Sequence, residues 1–259
     1  ADFLAKFEFF MGCIRSADDV KRITAEVIDD CAAEGIIHSE LRFSPAFIKQ
    51  LTGLGLIGAV EAVLEGARST PHGMSVSFIL GSPQPQGPRV AWDTVRIARD
   101  YMSAGVMGVD VSDDTRFIGL GEYQEPMEWA RSEGLGVTIH AGEAEGPDSV
   151  RTAIQRLGAK RIGHGIRAIE DPDVVRLAVE RSIVFEVCPT SNIHTAAARS
   201  YETHPLPELM RHGVRVTLNT DDPGISGITL GHEYDVAAGK WGMGPEEVLS
   251  MNMTAAAAA

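Results

Sequence analysis

Strand-like and helix-like segments alternate along the whole chain, and this alternation limits the possible folds more than any other feature of the sequence. Seven short β-prone runs are predicted as strands, at residues 36–44, 75–81, 106–112, 136–142, 161–165, 183–189 and 214–220. Helical patterns separate them. Regular strand–helix repetition of this kind predicts parallel βα units, and it predicts one α/β domain over residues 1–259.

The helix before the first predicted strand has recognisable ends. Ser16 can act as its N-cap, and Gly35 can end it. The apolar residues that the helical period places on one face are Val20, Ile23, Val27, Ile28 and Cys31. Further helices are predicted to begin at Pro147, Asp171 and Pro207.

Polar residues at the strand ends distinguish two α/β architectures that share this alternation. A doubly wound open sheet that binds a nucleotide would carry a glycine-rich loop at its first helix, which this sequence lacks. Ionisable or thiol side chains instead end most predicted strands, namely Arg42, Asp110, His140, His164, Cys188 and Asp221. A TIM-type (β/α)8 barrel, whose strand ends meet at one mouth, explains this distribution.

A closed barrel of this type needs eight strands, whereas the sequence predicts seven. A seven-stranded arrangement would leave an edge of unpaired backbone groups. We therefore expect the first strand to lie before Ala1 and to be missing from this chain, which also begins without Met.

The segment HAGE at residues 140–143 combines a strand-end histidine with an acid just beyond it. One interpretation is a metal ligand, His140, beside a proton-transferring acid, Glu143. The alternative is a hydrogen-bonded histidine and a solvated glutamate, and for an isolated motif that alternative is favoured. Asp221 changes the balance, because the last strand of a barrel lies beside the first and its carboxylate can share a coordination sphere with His140.

Asp221 and Asp222 form a carboxylate pair after the last predicted strand. Such pairs are common in solvated turns. Their position after an apolar strand predicts burial, and a nearby cation would then stabilise both charges. His164 lies between two glycines in the segment GHG. It is either a turn histidine or a group that orients a metal-bound water, and the sequence favours neither interpretation.

Composition limits the partners and the compartment. The formal charge is −13, and no basic cluster offers a path for nucleic acid. Three widely spaced cysteines suggest no disulfide framework, and no apolar run is long enough to span a bilayer. These features, with no signal-peptide pattern at the start, predict a cytoplasmic protein that contacts no membrane. They leave the oligomeric state open.

Several motifs, in the same order, resemble those of the adenosine deaminase family. They are HAGE at 140–143, GHG at 163–165, EVCPTSN at 186–192 and LNTDDP at 218–223. The initial FLAKFEFFM and the segment ELRFSPAF are also similar, so the resemblance extends from Asp2 to about Thr254. The resemblance implies a (β/α)8 barrel that deaminates an adenine-type purine with one zinc ion.

The family pattern also implies roles for individual residues. His140 and Asp221 match two of four zinc ligands; the other two form a His-x-His pair that this sequence does not contain. Glu143 matches the acid that protonates purine N1, and His164 the residue that orients and helps deprotonate the water. Asp222 matches the carboxyl that binds N7. An apolar helix over the substrate pocket is matched by Phe3, Leu4 and Phe7.

Two departures from the family pattern concern the substrate. Asp113 stands where the family usually has a glycine whose amide contacts the purine, and GSPQPQGP at 81–88 replaces a segment that usually carries a basic residue. Free adenine and modified purine nucleosides therefore remain alternatives to adenosine. Two other classes also remain open, a different metal-dependent barrel amidohydrolase and a purine-binding barrel without catalysis.

Overall fold

The structure, a computed structural model, describes most of the chain. The described residues are 6, 9–69, 73–112 and 119–259. The predicted substrate-binding residues Phe3, Leu4, Phe7 and Asp113 lie outside them, and their roles stay predictions.

The chain divides into two compact units. The first comprises Ala1–Asp113 and Glu125–Gly136, and the second comprises Asp114–Gln124 and Val137–Ala259. The prediction of one domain over residues 1–259 stays a prediction.

The first unit contains three parallel strands in chain order. They are β1 (His38–Phe43), β2 (Ser75–Pro83) and β3 (Val106–Ser112), and β2 pairs with both neighbours. The helices are α1 (Ala17–Ala33), α2 (Pro45–Thr52), α3 (Leu56–Gly66), α4 (Gly87–Asp100) and α5 (Gln124–Ser132). Val60, Leu80 and Val109 are fully enclosed in its core.

Helix α1 begins as predicted, because the Ser16 hydroxyl accepts a hydrogen bond from the Asp19 N–H. Its buried residues are Val20, Thr24 and Ile28, spaced four residues apart. Ile23, which the helical period placed on one face with Val20 and Ile28, is 40% exposed, because it falls outside this buried stripe. Helix α3 approaches α1 so closely that a Cβ at Gly66 would collide with the Lys21 carbonyl.

The second unit contains four parallel strands, again in chain order. They are β4 (Gly136–Ala141), β5 (Arg161–His164), β6 (Val184–Val187) and β7 (Arg215–Leu218). The helices are α6 (Pro147–Thr152), α7 (Pro172–Glu180), α8 (Pro189–His194), α9 (Leu206–Arg211), α10 (Pro223–Ser226), α11 (Leu230–Trp241) and α12 (Pro245–Ala258). Ile139, Ile162, Phe185 and Val216 on these strands are all buried.

All seven predicted strands are confirmed, with small differences in their ends. Strand β6 stops at Val187 rather than at Pro189, because Pro189 is the first residue of α8, a position that suits proline. Within each unit every strand pairs with the next one along the chain. That order lacks the reversal of a doubly wound sheet and is the order of a (β/α) barrel.

Among the helices of the described residues, none is by itself long and apolar enough to cross a membrane. Helices α2 and α3 reach the required length and composition only together, and the chain bends by 100° between them.

Candidate active site

The carboxyl ends of the four strands in the second unit carry the candidate residues. His140 is the next-to-last residue of β4, and His164 is the last residue of β5. Cys188 follows β6, and Asp221 lies three residues beyond the end of β7. Because these strands are parallel and adjacent, their carboxyl ends lie along one edge of the sheet.

The two predicted active-site histidines lie side by side. The ring centroids of His140 and His164 are 5.2 Å apart, with 62° between the ring planes. The strand register pairs His140 with Gly163, and a Cβ at Gly163 would lie only 3.1 Å from the His140 ring. A Cβ at Gly165, which has a φ of 70°, would lie 2.6 Å from the Phe185 ring. Each glycine next to His164 therefore leaves space for an aromatic side chain.

Glu143 is held by three side chains. Its Oε2 lies 3.2 Å from His164 Nε2, and its Oε1 accepts a hydrogen bond of 2.9 Å from the Thr195 hydroxyl. The Asn192 amide also donates to Oε1, at 3.5 Å. The Glu143 side chain keeps 21% of its surface exposed, whereas that of His164 keeps 3%. The carboxyl is thus oriented by protein groups and still accessible to a small molecule.

Asp221 belongs to the same group of side chains. Its Oδ2 accepts a hydrogen bond of 2.7 Å from the Ser191 hydroxyl. One ligand atom each of His164, Cys188 and Asp221 lie within 4.8 Å of one another. Since His164 contacts both His140 and this group, the structure brings together the four strand ends that the sequence analysis singled out.

The expected burial of the carboxylate pair is wrong for Asp221. Asp221 is exposed and Asp222 is half-buried, because Asn219 and Thr220 carry the pair beyond the end of β7 at Leu218. Burial, the charge of Asp221 and the charge of Glu143 raise the pKa of Asp222 to about 7, against the opposing effect of His140. Neighbouring carboxylates thus favour the protonated form of this group.

Two residues of the site have left-handed backbone conformations. The φ angles are 63° at His164 and 59° at Asp221, in a region that non-glycine residues seldom adopt. Such conformations cost roughly 1–3 kcal/mol each and cluster at functional sites. The rest of the fold therefore holds these two side chains in directions that a relaxed backbone would not give.

Five residues of this region were given no role by the sequence analysis: Cys188, which it noted only as a strand-end thiol, Ser191, Asn192, Thr195 and His204. Four of them lie on or beside α8, which follows β6 directly. The motif EVCPTSN was the available signal for three of them, but it indicated a resemblance and not the partner of any side chain.

The donor set suits a divalent metal ion. Imidazole nitrogens at His140 and His164 and the carboxylate of Asp221 are ligand types that zinc accepts, and the Cys188 sulfur is another. The carboxylates of Glu143, Asp221 and Asp222 concentrate negative charge in the same space. A cation there would offset their mutual repulsion.

Parallel strands in chain order, with histidines and carboxylates at their carboxyl ends, are typical of metal-dependent (β/α)-barrel hydrolases. More specifically, the chain belongs to the adenosine deaminase family, whose sequence model matches residues 1–259. An adenosine deaminase of Serratia proteamaculans is 37% identical over 248 residues, which are 95% of this chain and 74% of that protein.

Solved structures of similar proteins confirm the barrel fold. The N6-methyl-AMP deaminase of Arabidopsis thaliana superposes with a TM-score of 0.89 at 26% identity, over 98% of this chain and 77% of that one. The adenine deaminase of Arthrobacter aurescens gives a TM-score of 0.88 at 24% identity, over 99% of this chain and 79% of that one. The predicted fold class, a (β/α)8 barrel, is confirmed, and the part of the chain that the structure describes contributes seven strands to it.

Proposed function

We propose that this protein is a zinc-dependent aminohydrolase that converts an adenine-type purine to the 6-oxo purine and ammonia, with adenosine as the first candidate substrate. The observation that carries this proposal is the 3.2 Å contact between Glu143 and His164, beside the Asp221 carboxylate. The adenosine deaminase of Serratia proteamaculans, 37% identical, supports the choice of adenosine.

His140 and Asp221 are the proposed zinc ligands of this chain. When bound, zinc supplies the Lewis acidity that lets water act as a nucleophile near neutral pH. His164 and Cys188 lie close enough to Asp221 to compete for the same ion, but His164 faces Glu143 through its Nε2. We therefore assign His164 to the chemistry and His140 to the metal.

The reaction replaces the C6 amino group with oxygen. A C–O bond forms at C6 as Glu143 gives a proton to ring N1, which spares the ring from carrying negative charge. His164, through its Nε2, orients the attacking oxygen. The C6–N bond then breaks as the amino group takes up one proton of the attacking water and leaves as ammonia, and the other water proton restores the acid form of Glu143.

Asp222 is the proposed partner of ring N7. N7 carries a lone pair and no proton, so a carboxyl that binds it must itself be protonated. Burial beside Asp221 and Glu143 favours that protonated form.

Activity on a substrate panel tests the proposal. The zinc-loaded chain is incubated with adenosine, adenine and N6-methyl-AMP, and released ammonia or methylamine is measured together with the loss of aminopurine absorbance. We expect turnover of adenosine, with the other two compounds as the alternative substrates. Amide or ester hydrolysis without purine turnover would identify a different barrel amidohydrolase. Purine binding without release of amine would identify a binding protein.

A matched pair of variants tests the ligand assignment. His140→Ala should lose bound zinc and the thermal stabilisation that zinc gives, whereas Cys188→Ser should keep both. Zinc content after desalting and the melting temperature with and without zinc are the measurements. Zinc lost in Cys188→Ser but kept in His140→Ala would reverse the assignment.

A further inference from the structure

A chain of hydrogen bonds links His204, a residue outside the proposed reaction, to His164. The Leu206 backbone N–H donates to His204 Nδ1 at 3.1 Å, and His204 Nε2 lies 3.3 Å from Asn192 Oδ1. Asn192 Nδ2 lies 3.0 Å from His164 Nδ1, and His164 Nε2 lies 3.2 Å from Glu143.

The Leu206 backbone N–H, at the start of this series of hydrogen bonds, determines which atom donates and which accepts in each of the others. A backbone N–H can only donate, so His204 Nδ1 must accept and the proton of the neutral ring must be on Nε2. That proton donates to Asn192 Oδ1, which turns the amide nitrogen of Asn192 toward His164. The amide in turn requires His164 Nδ1 to accept, and this leaves the His164 proton on Nε2, where it faces Glu143.

Removing His204 would remove one of the two groups that hold the Asn192 amide in this orientation; the other is Glu143 Oε1, which accepts from Asn192 Nδ2 at 3.5 Å. The two ends of the amide are similar in size and the bond to Glu143 is long, so without the Nε2–H of His204 the amide can turn over in a part of the molecules. It would then present its oxygen to His164 and draw the proton of that ring onto Nδ1. The Nε2 atom that faces Glu143 would become an acceptor.

Water has little access to replace the missing partner. The exposed fractions are 4% at His204, 0% at Asn192 and 2% at His164. The Trp241 ring, whose centroid lies 5.6 Å from that of His204, further limits rotation of the His204 ring.

We propose that His204 is a positioning residue, which fixes the orientation of the Asn192 amide and thereby the tautomer of His164. The role of that tautomer in catalysis depends on the function proposed above, in which His164 orients the attacking oxygen through its Nε2. The tautomer itself is a property of the zinc-free chain and is tested independently of any activity.

Nitrogen-15 NMR of the full zinc-free chain, with labelled histidine, measures the tautomer directly. At a pH at which His164 is neutral, we expect an unprotonated Nδ1 and a protonated Nε2 in the wild type and in His204→Gln, whose amide N–H replaces the imidazole Nε2–H. In His204→Phe we expect a mixture of both tautomers. A single unchanged tautomer in His204→Phe would overturn the proposal.

Asn192→Asp provides a second test if His204→Phe does not fold. The aspartate carboxylate offers only acceptors, so His164 Nδ1 should become protonated. An Nδ1 that stays unprotonated in this variant would also overturn the proposal.

Kinetics on the zinc-loaded chain separate positioning from loss of structure. We expect His204→Phe to lower kcat by about ten- to hundredfold with little change in KM, and His204→Gln to restore most of it. Tyr201→Phe is the matched control, because it removes the hydrogen bond to Thr190 on the same helix α8 but leaves the chain from His204 to Glu143 intact. Equal kcat losses in His204→Gln and His204→Phe would contradict the proposed role. An inactive wild type with the expected tautomers would refute only the proposed function.

Discussion

Glu143 Oε2 and His164 Nε2 lie 3.2 Å apart, although the two residues belong to different strand–loop segments. Because β4 and β5 are parallel and pair Ala141 with His164, the acid just beyond β4 reaches the histidine that ends β5. This contact brings the proposed proton donor beside the group that orients the nucleophile.

Replacing the acid should stop the chemistry without releasing the metal ion. We expect Glu143→Gln to lower kcat by several orders of magnitude, because Gln cannot transfer a proton to ring N1. Zinc content should be unchanged. Glu170→Gln, which weakens a surface ion pair with Arg167, is the control and should keep normal activity. Near-normal turnover in Glu143→Gln would remove Glu143 from the acid's role.

The hydrogen bond from Ser191 to Asp221 should affect metal affinity. Ser191→Ala removes a 2.7 Å bond that orients the carboxylate, so we expect zinc affinity to fall about 10- to 100-fold in a chelator competition assay. Ser82→Ala is a control of equal burial, since the Ser82 hydroxyl has no hydrogen-bond partner in the part of the chain that the structure describes. If both variants bind zinc equally well, Ser191 does not position the ligand.

The glycine beside His140 should matter for the site more than for the fold. In Gly163→Ala the new methyl group would lie 3.1 Å from the His140 ring and displace it, so zinc affinity and kcat should fall. The free energy of unfolding should change little, because alanine is preferred over glycine in a strand by roughly 0.5–1 kcal/mol, and this gain offsets the cost of the close contact.

Gly165→Ala provides the contrast. Its φ of 70° and the Phe185 ring at 2.6 Å predict a clear loss of stability. Denaturant unfolding of the two zinc-free variants distinguishes these effects. A larger stability loss for Gly163→Ala than for Gly165→Ala would contradict the expectation that Gly163 matters mainly for the site and Gly165 mainly for stability.

His204 should make the stability of the zinc-free protein depend on pH. Burial, and then the charge of His164, lower the pKa of His204 from 6.5 to about 4. The lowered pKa means that the unfolded chain binds the proton more readily. The free energy of unfolding therefore keeps its full value above about pH 6.5. It decreases as the pH falls toward 4, by about 3 kcal/mol in total.

Urea unfolding at several pH values between 7 and 4 measures this dependence. His204→Gln lacks the titrating group, so the difference in free energy of unfolding between wild type and variant should shrink as the pH falls. A difference that stays constant over this range would show that His204 does not titrate as expected.

The sequence predicted the strands, because local periodicity determines them, and it placed candidate site residues at their carboxyl ends. His140, His164 and Asp221 were proposed in this way, and the strand register brings the two histidines together. Ser191 and Asn192 were missed because their partners are 30 and 28 residues away in the chain, and no local pattern encodes such a hydrogen bond. The exposure of Asp221 was also missed, since it depends on the path of the loop after β7.

The positive φ angles at residues 164 and 221 have a consequence for laboratory evolution of this protein. Glycine would adopt both conformations without strain, and at the exposed Asp221 it would leave no cavity, so a selection for heat resistance alone would favour glycine where a carboxylate is proposed to bind the metal ion. Thermostable variants obtained in that way would be poorer catalysts. Screens for thermostability should therefore keep the Asp221 codon unchanged.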